Sequence, residues 1–136
     1  MGGLTDEQVA KMLAGMTDNY SDWIRIYSPV VMNNPQQPEL AEEFAQCLLK
    51  SRPDITLVIF SMIILSDCRQ EVAKLKTPVL ILQPQDDPFV PTQVGEYLHQ
   101  VIPNSQLRTI YSQGHFPHLS NPTEVIRAIF DYLAIK

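Results

Sequence analysis

The stretch that decides the fold is "TPVLILQPQDDPFVPTQVGEYLHQVIPNSQLRTIY", residues 77–111. Its opening run, "TPVLILQ" (77–83), is short, continuously apolar and followed by turn residues, which predicts a strand buried on both faces. "QDDPFVP" (85–91) is a loop, and "TQVGEYLHQVI" (92–102) sets Val94, Tyr97, Leu98, Val101 and Ile102 at helical spacing. "SQLRTIY" (105–111) reads as a second strand. Downstream, "NPTEVIRAIFDYL" (121–133) opens with Asn121 as a cap, Pro122 at the first helical position and Glu124 three residues after the cap. Strand, helix, strand, helix predicts an α/β class with two parallel strands joined by a right-handed crossover. Two strands are too few for a sheet that should be covered on both faces.

Upstream of residue 76 the pattern is helical only. Thr5 with Gln8 has capping-box spacing, and Val9, Met12 and Leu13 share one face of a short helix. "DNYSDWIRIYSPVVM" places Tyr20, Trp23, Ile24 and Tyr27 in one stripe, with Pro29 expected to kink or interrupt the helix. "NNPQQP" is a loop, after which Leu40, Phe44, Cys47 and Leu48 predict a half-buried helix. "RPDITLVIFSMIILSD" starts at Pro53 and is apolar on nearly every side, so this segment should be buried or line something; periodicity alone leaves a strand open.

Composition narrows the function. The chain has 136 residues, is 45% hydrophobic and carries a net charge of −5, enough for one core. Scattered basic residues within an acidic total argue against nucleic acid as a partner. Cys47 and Cys68 are too few for a disulfide framework and lack metal-site spacing, so two buried thiols are expected, with no metal and no cofactor. The N-terminus has acidic residues where a secretory signal carries its apolar core, and the apolar run 55–65 falls short of the roughly 20 residues that cross a bilayer. The expectation is a cytoplasmic protein with no membrane partner.

The chemistry should sit beyond the carboxyl ends of the strands, where open α/β sheets bind ligands. Asp87 follows the first strand and His115, in "YSQGHFPHLSNP" (111–122), follows the second. One helix and one strand separate them, so the two can meet at adjacent loop tips, where an acid orienting a histidine forms the base half of a nucleophilic triad. Taken singly, Asp87 reads as a turn residue and His115 as a loop histidine; the conjunction favours a site. His118 reads as a structural neighbour and His99 as a surface or packing residue.

Residues 77–133 resemble the C-terminal part of RsbQ-type α/β-hydrolases, the group that includes the plant strigolactone and karrikin receptors. "GGL", "NYSDWIRIYSP", "RPDI" and "SDCR" resemble that group's helical lid. The resemblance implies a partial α/β-hydrolase fold: a lid over residues 1–75, then the β-α-β-α end of the core over 76–136. It implies that Asp87, four before Pro91, is the triad acid in preference to Asp86, that His115 is the base, and that Leu4, Trp23, Tyr27, Phe44 and Ile64 line an apolar pocket. Asp67 or Arg69 would bond locally at a helix end. The implied ligand is a small apolar ester or lactone. The alternative role is a sensor that couples a bound small molecule to a signalling protein, and the third is a truncated chain inactive alone.

The family's nucleophile lies in GxSxG at a strand-to-helix elbow. None of the five glycines, Gly2, Gly3, Gly15, Gly95 and Gly114, flanks a serine in that pattern. The sequence resembles the second half of an enzyme, whose expected partner is the N-terminal hydrolase half or a second copy exchanging elements. Alone it should not turn over esters.

Overall fold

The computed structural model describes residues 4–134, so Gly2 and Gly3 of the "GGL" stretch lie outside the described residues. Four helices come first: α1 (Asp6–Asp18), α2 (Tyr20–Met32), α3 (Pro38–Leu49) and α4 (Pro53–Leu65), with a single turn, α5 (Arg69–Val72), after them. The α/β unit follows as β1 (Val79–Asp86), α6 (Thr92–Val101), β2 (Ser105–Gln113), the short α7 (Pro117–Ser120) and α8 (Pro122–Leu133).

Local chemistry sets the boundaries. Thr5 closes a capping box with Gln8 at the start of α1, and Asn19 and Asn121 accept the backbone N–H groups of Asp22 and Glu124 to cap α2 and α8. Pro29 does not interrupt α2, which runs unbroken to Met32 and ends on Asn33 in the left-handed region at φ 40°. A proline near a helix C-terminus costs one internal hydrogen bond, and burial of Ile24, Ser28, Val31 and Met32 holds the helix through it.

β1 and β2 pair in parallel, Val79 opposite Ser105 through Pro84 opposite Ile110, with an irregularity before Asp86 pairs with Gln113. The strand is longer than the expected 77–83 and only half-buried at Val79–Leu82, because two strands leave much of each face uncovered. The two edges differ. At β2, the Tyr111 N–H donates to Glu124 Oε2 at 3.1 Å and the Asn121 amide donates to the Tyr111 carbonyl at 3.1 Å, so side chains of α8 occupy that edge. In a parallel pair alternate residues turn their backbone groups to opposite sides. Val79 N–H bonds the Asn104 carbonyl on the β2 side, so Leu80 and Leu82 face the other edge, which no described strand covers.

A folded monomer of 15.4 kDa exposes about 7,200 Å² by the usual size scaling, whereas this chain exposes 9284 Å². Large apolar side chains are among the exposed residues. Ile55, Val58, Ile59, Met62, Ile63 and Leu65 of α4 and Ile126, Ile129, Phe130 and Leu133 of α8 are exposed. The apolar character of α4 therefore corresponds to one face lining a cavity and another open to solvent, not to a helix buried all round. Cys47 and Cys68 are exposed as well, against the expectation of buried thiols: Ala45, not Cys47, takes the inward position of α3, and Cys68 lies in the turn before α5. No helix among the described residues is long and apolar enough to cross a membrane.

Candidate active site

Asp87 and His115 meet. Asp87 Oδ2 lies 2.8 Å from His115 Nδ1, the carboxylate side chain 3% exposed and the imidazole 35%. The other oxygen, Oδ1, accepts the backbone N–H groups of Phe89 (2.9 Å) and Val90 (3.0 Å), an Asx-type turn that fixes the carboxylate. Burial pushes the Asp87 carboxyl up, but the His115 hydrogen bond and the two backbone donors together outweigh it and hold the group below its ordinary range. An ionised carboxylate only accepts, so Nδ1 carries the hydrogen and Nε2 is left as the basic nitrogen.

Two supports of this pair were not read from the sequence. Gln83, buried in β1, donates from Nε2 to the carbonyls of Pro84 (3.1 Å) and Val90 (3.0 Å), tying the far end of the Asp87 turn to the strand. A polar side chain inside an apolar strand, facing Gly95 of α6, was the available signal: a Cβ at Gly95 would stand 2.8 Å from Gln83 Oε1. The second support is the C-terminus of α2. His115 N–H donates to the Val31 carbonyl at 2.9 Å, and Gly114, at φ +84°, packs its Cα against the Met32 carbonyl so closely that any Cβ would collide with it. Helix ends carry unpaired carbonyls, and here one of them holds the histidine's backbone.

Leu4, Trp23, Tyr27, Phe44 and Ile64 all line one cavity of about 360 Å³, together with Phe60, Phe89, Phe116 and His115 itself. Its wall is a chain of aromatic contacts: Trp23 stacks on Tyr27 at 4.4 Å, Tyr27 meets Phe89 at 5.7 Å, and Phe116 lies 5.1 Å from His115 and 4.9 Å from Phe44. Burial, and then the negative charge of Asp87, pushes the Tyr27 phenol up to about 12. His118 is exposed on α7 beside Phe116, and His99 is exposed on α6 with Nδ1 3.0 Å from Ser105 Oγ. Asp67 and Arg69 pair locally at the start of α5, at 2.6 Å. Asp86 uses its backbone carbonyl, which accepts the Gly114 N–H at 2.9 Å.

Such a geometry, an acid-oriented histidine at the carboxyl ends of two parallel strands beneath an aromatic cavity, is that of the α/β-hydrolase class. Residues 15–122 match the family described as alpha/beta hydrolase fold, and the chain belongs to that family. Among curated proteins it is 32% identical over 97% of its length to "Karrikin insensitive 2 receptor CA" of Petunia hybrida, covering 49% of that protein. It is 29% identical over 91% of its length to "Strigolactone esterase D14" of Arabidopsis thaliana, covering 46% of it. A solved hydrolase from Oleispira antarctica superposes with a TM-score of 0.92 at 26% identity, over 100% of this chain and 50% of that one. The chain thus spans about half the length of the relatives it matches, the C-terminal half.

Proposed function

We propose that the chain supplies the acid, the base and the ligand-covering helices of a serine hydrolase acting on a small apolar ester or lactone. The observation that carries this reading is the Asp87–His115 pair at 2.8 Å, with the imidazole opening into the aromatic cavity. In the reaction, a serine from a complementary segment attacks the carbonyl carbon while His115 Nε2 takes its proton. The same nitrogen then returns the proton to the leaving alkoxide, and Asp87 stabilises the imidazolium between the two steps. The tetrahedral oxyanion needs donors that follow the nucleophile, worth about 3 to 4 kcal/mol, and the GxSxG elbow that would bring them is absent from these 136 residues. The complementary segment would add a parallel strand at Leu80 and Leu82 of β1 and cover the apolar face of α4; α1–α4 would act as the lid.

The test is complementation. The chain is mixed with a separately produced half carrying a GxSxG elbow, and release of p-nitrophenol from its acetate is followed. Turnover should require both halves and vanish with His115→Ala; turnover by the chain alone, lost in the same variant, would refute the assignment. A sensing role is favoured by the receptor names of several relatives. It would appear as tight binding of an apolar lactone, slow turnover and ligand-dependent capture of a signalling protein. The cytoplasm is the proposed site of action.

A further inference from the structure

Trp23 belongs to two cavities at once. On one side is the cavity of about 360 Å³ that contains His115. On the other is a groove of about 590 Å³ between α1 and α2, lined by Ala14 and Gly15 of α1 and by Ile26 and Val30 of α2. Gly15 lines the groove and not the His115 cavity, whereas Trp23 lines both, so the indole stands between Gly15 and that cavity. Its position there depends on a missing atom. A Cβ on Gly15 would stand 2.8 Å from Trp23 Cδ1 and 3.6 Å from Nε1. Carbon atoms in contact rest about 3.5 to 4.0 Å apart, so a methyl group here must displace the indole or the helix by about 1 Å. The helix is anchored, since Met16, the next residue of α1, is buried at 3% exposure. The indole can yield: it stacks on Tyr27 at 4.4 Å and meets Phe60 edge-on at 5.3 Å, and both rings line the His115 cavity. Glycine is a poor residue for a helix interior, and α1 keeps one at the point where a side chain would reach the indole.

We propose that Gly15 is a positioning residue that sets how bulky a ligand the His115 cavity admits. It lets Trp23 lie back against α1. A larger side chain at this position drives the indole towards Tyr27 and Phe60, into the space that a ligand occupies. Gly15 acts through Trp23 and touches no ligand in that cavity itself. This role rests on the reading of the His115 cavity as the ligand site, and it gives control of ligand bulk to a residue outside the cavity wall.

Two neutral lactones that share one head and differ in bulk, γ-butyrolactone and γ-phenyl-γ-butyrolactone, are titrated into the full chain and followed by the NMR amide resonances of Phe60 and Phe116. Gly15→Ala should weaken the phenyl lactone about tenfold and change butyrolactone less than about twofold, because overpacking an apolar site costs energy of that order. Gly15→Val should widen the gap. The side-chain N–H resonance of Trp23, the single tryptophan, should shift in both variants before any ligand is added. In a Trp23→Ala chain, Gly15→Ala should leave binding of the phenyl lactone unchanged within about twofold, since the coupling runs through the indole. Equal weakening of both lactones, as a purely structural glycine would give, overturns the proposal and leaves the cavity's ligand role intact. Unchanged binding of the phenyl lactone, or a loss that persists without the indole, does the same. A parent chain that binds neither lactone overturns both the proposal and the ligand reading beneath it.

Discussion

Gly114→Ala isolates the contact between α2 and the histidine loop. Two costs add at this position. A residue with a Cβ at φ +84° sits in the left-handed region, at about 1 to 2 kcal/mol. The Cβ also runs into the Met32 carbonyl, a backbone atom at the buried end of α2, and overpacking of that kind costs about 1 to 3 kcal/mol. Together the loss is about 2 to 5 kcal/mol, a large share of the 5 to 15 kcal/mol that stabilises an ordinary domain. With a urea slope of about 1.5 kcal/mol per molar, the unfolding midpoint should fall by about 1 to 3 M. The assay is a urea titration followed by Trp23 fluorescence and far-UV circular dichroism. The loop should move as well as weaken: its release from Val31 would be seen as faster hydrogen exchange at the His115 amide. A midpoint within about 0.3 M of the parent, with His115 exchange unchanged, would refute the claim that α2 clamps this loop.

The ionisable groups at the site give two further tests. Asp87 has its carboxyl held down in the folded chain, so its stabilisation is present above the unfolded value near 3.9 and is lost as pH falls through the lower folded value. Asp87→Asn should flatten the fall in urea midpoint between about pH 5 and 3, and an unchanged acid limb would count against the buried pair. Tyr27 has its phenol pushed up to about 12, so its stabilisation is present below about 10 and disappears as pH rises from there. In an absorbance titration at high pH, Tyr27→Phe should remove a late-titrating phenolate. On α4, Ile59 and Met62 are 52% and 68% exposed, so changing both to Lys should alter the stability of the chain alone by no more than about 0.5 kcal/mol each. The same pair should abolish complementation by the nucleophile-bearing half; normal complementation would show that this face is not the covered one.

Much of the α/β unit was legible because its signals are local. Asn121, Pro122 and Glu124 define a helix start whatever lies around them, and the strand, loop, helix, strand spacing puts Asp87 and His115 at neighbouring tips. What escaped depends on atoms far apart in sequence. The Val31 carbonyl is one of several helix-end acceptors until the fold brings the His115 amide to it, and Gln83 reads as one polar letter in a strand until Gly95 and Val90 surround it. Pro29 does not end α2, because the rule concerns the lost hydrogen bond and not the burial that offsets it. Cys47 misled because a thiol's affinity for the interior is an average, and here the inward position of the turn belongs to Ala45.

The arrangement also bears on which parts of the site should exist before any complementary half arrives. The hydrogen bonds that orient the dyad are made within this chain: Phe89 and Val90 donate to Asp87, His115 donates from Nδ1 to Asp87 and from its backbone N–H to Val31, and Gln83 donates to the Asp87 turn. None uses the open edge of β1 at Leu80 and Leu82 or the exposed face of α4. The tautomer and position of the His115 imidazole are therefore set by this chain alone, and under the proposed mechanism the free Nε2 would take its proton only from a serine placed beside it. Complementation should then change the accessibility of β1 and α4 far more than the environment of Asp87. The acid limb of stability that Asp87 governs should look the same in the free chain and in the completed one.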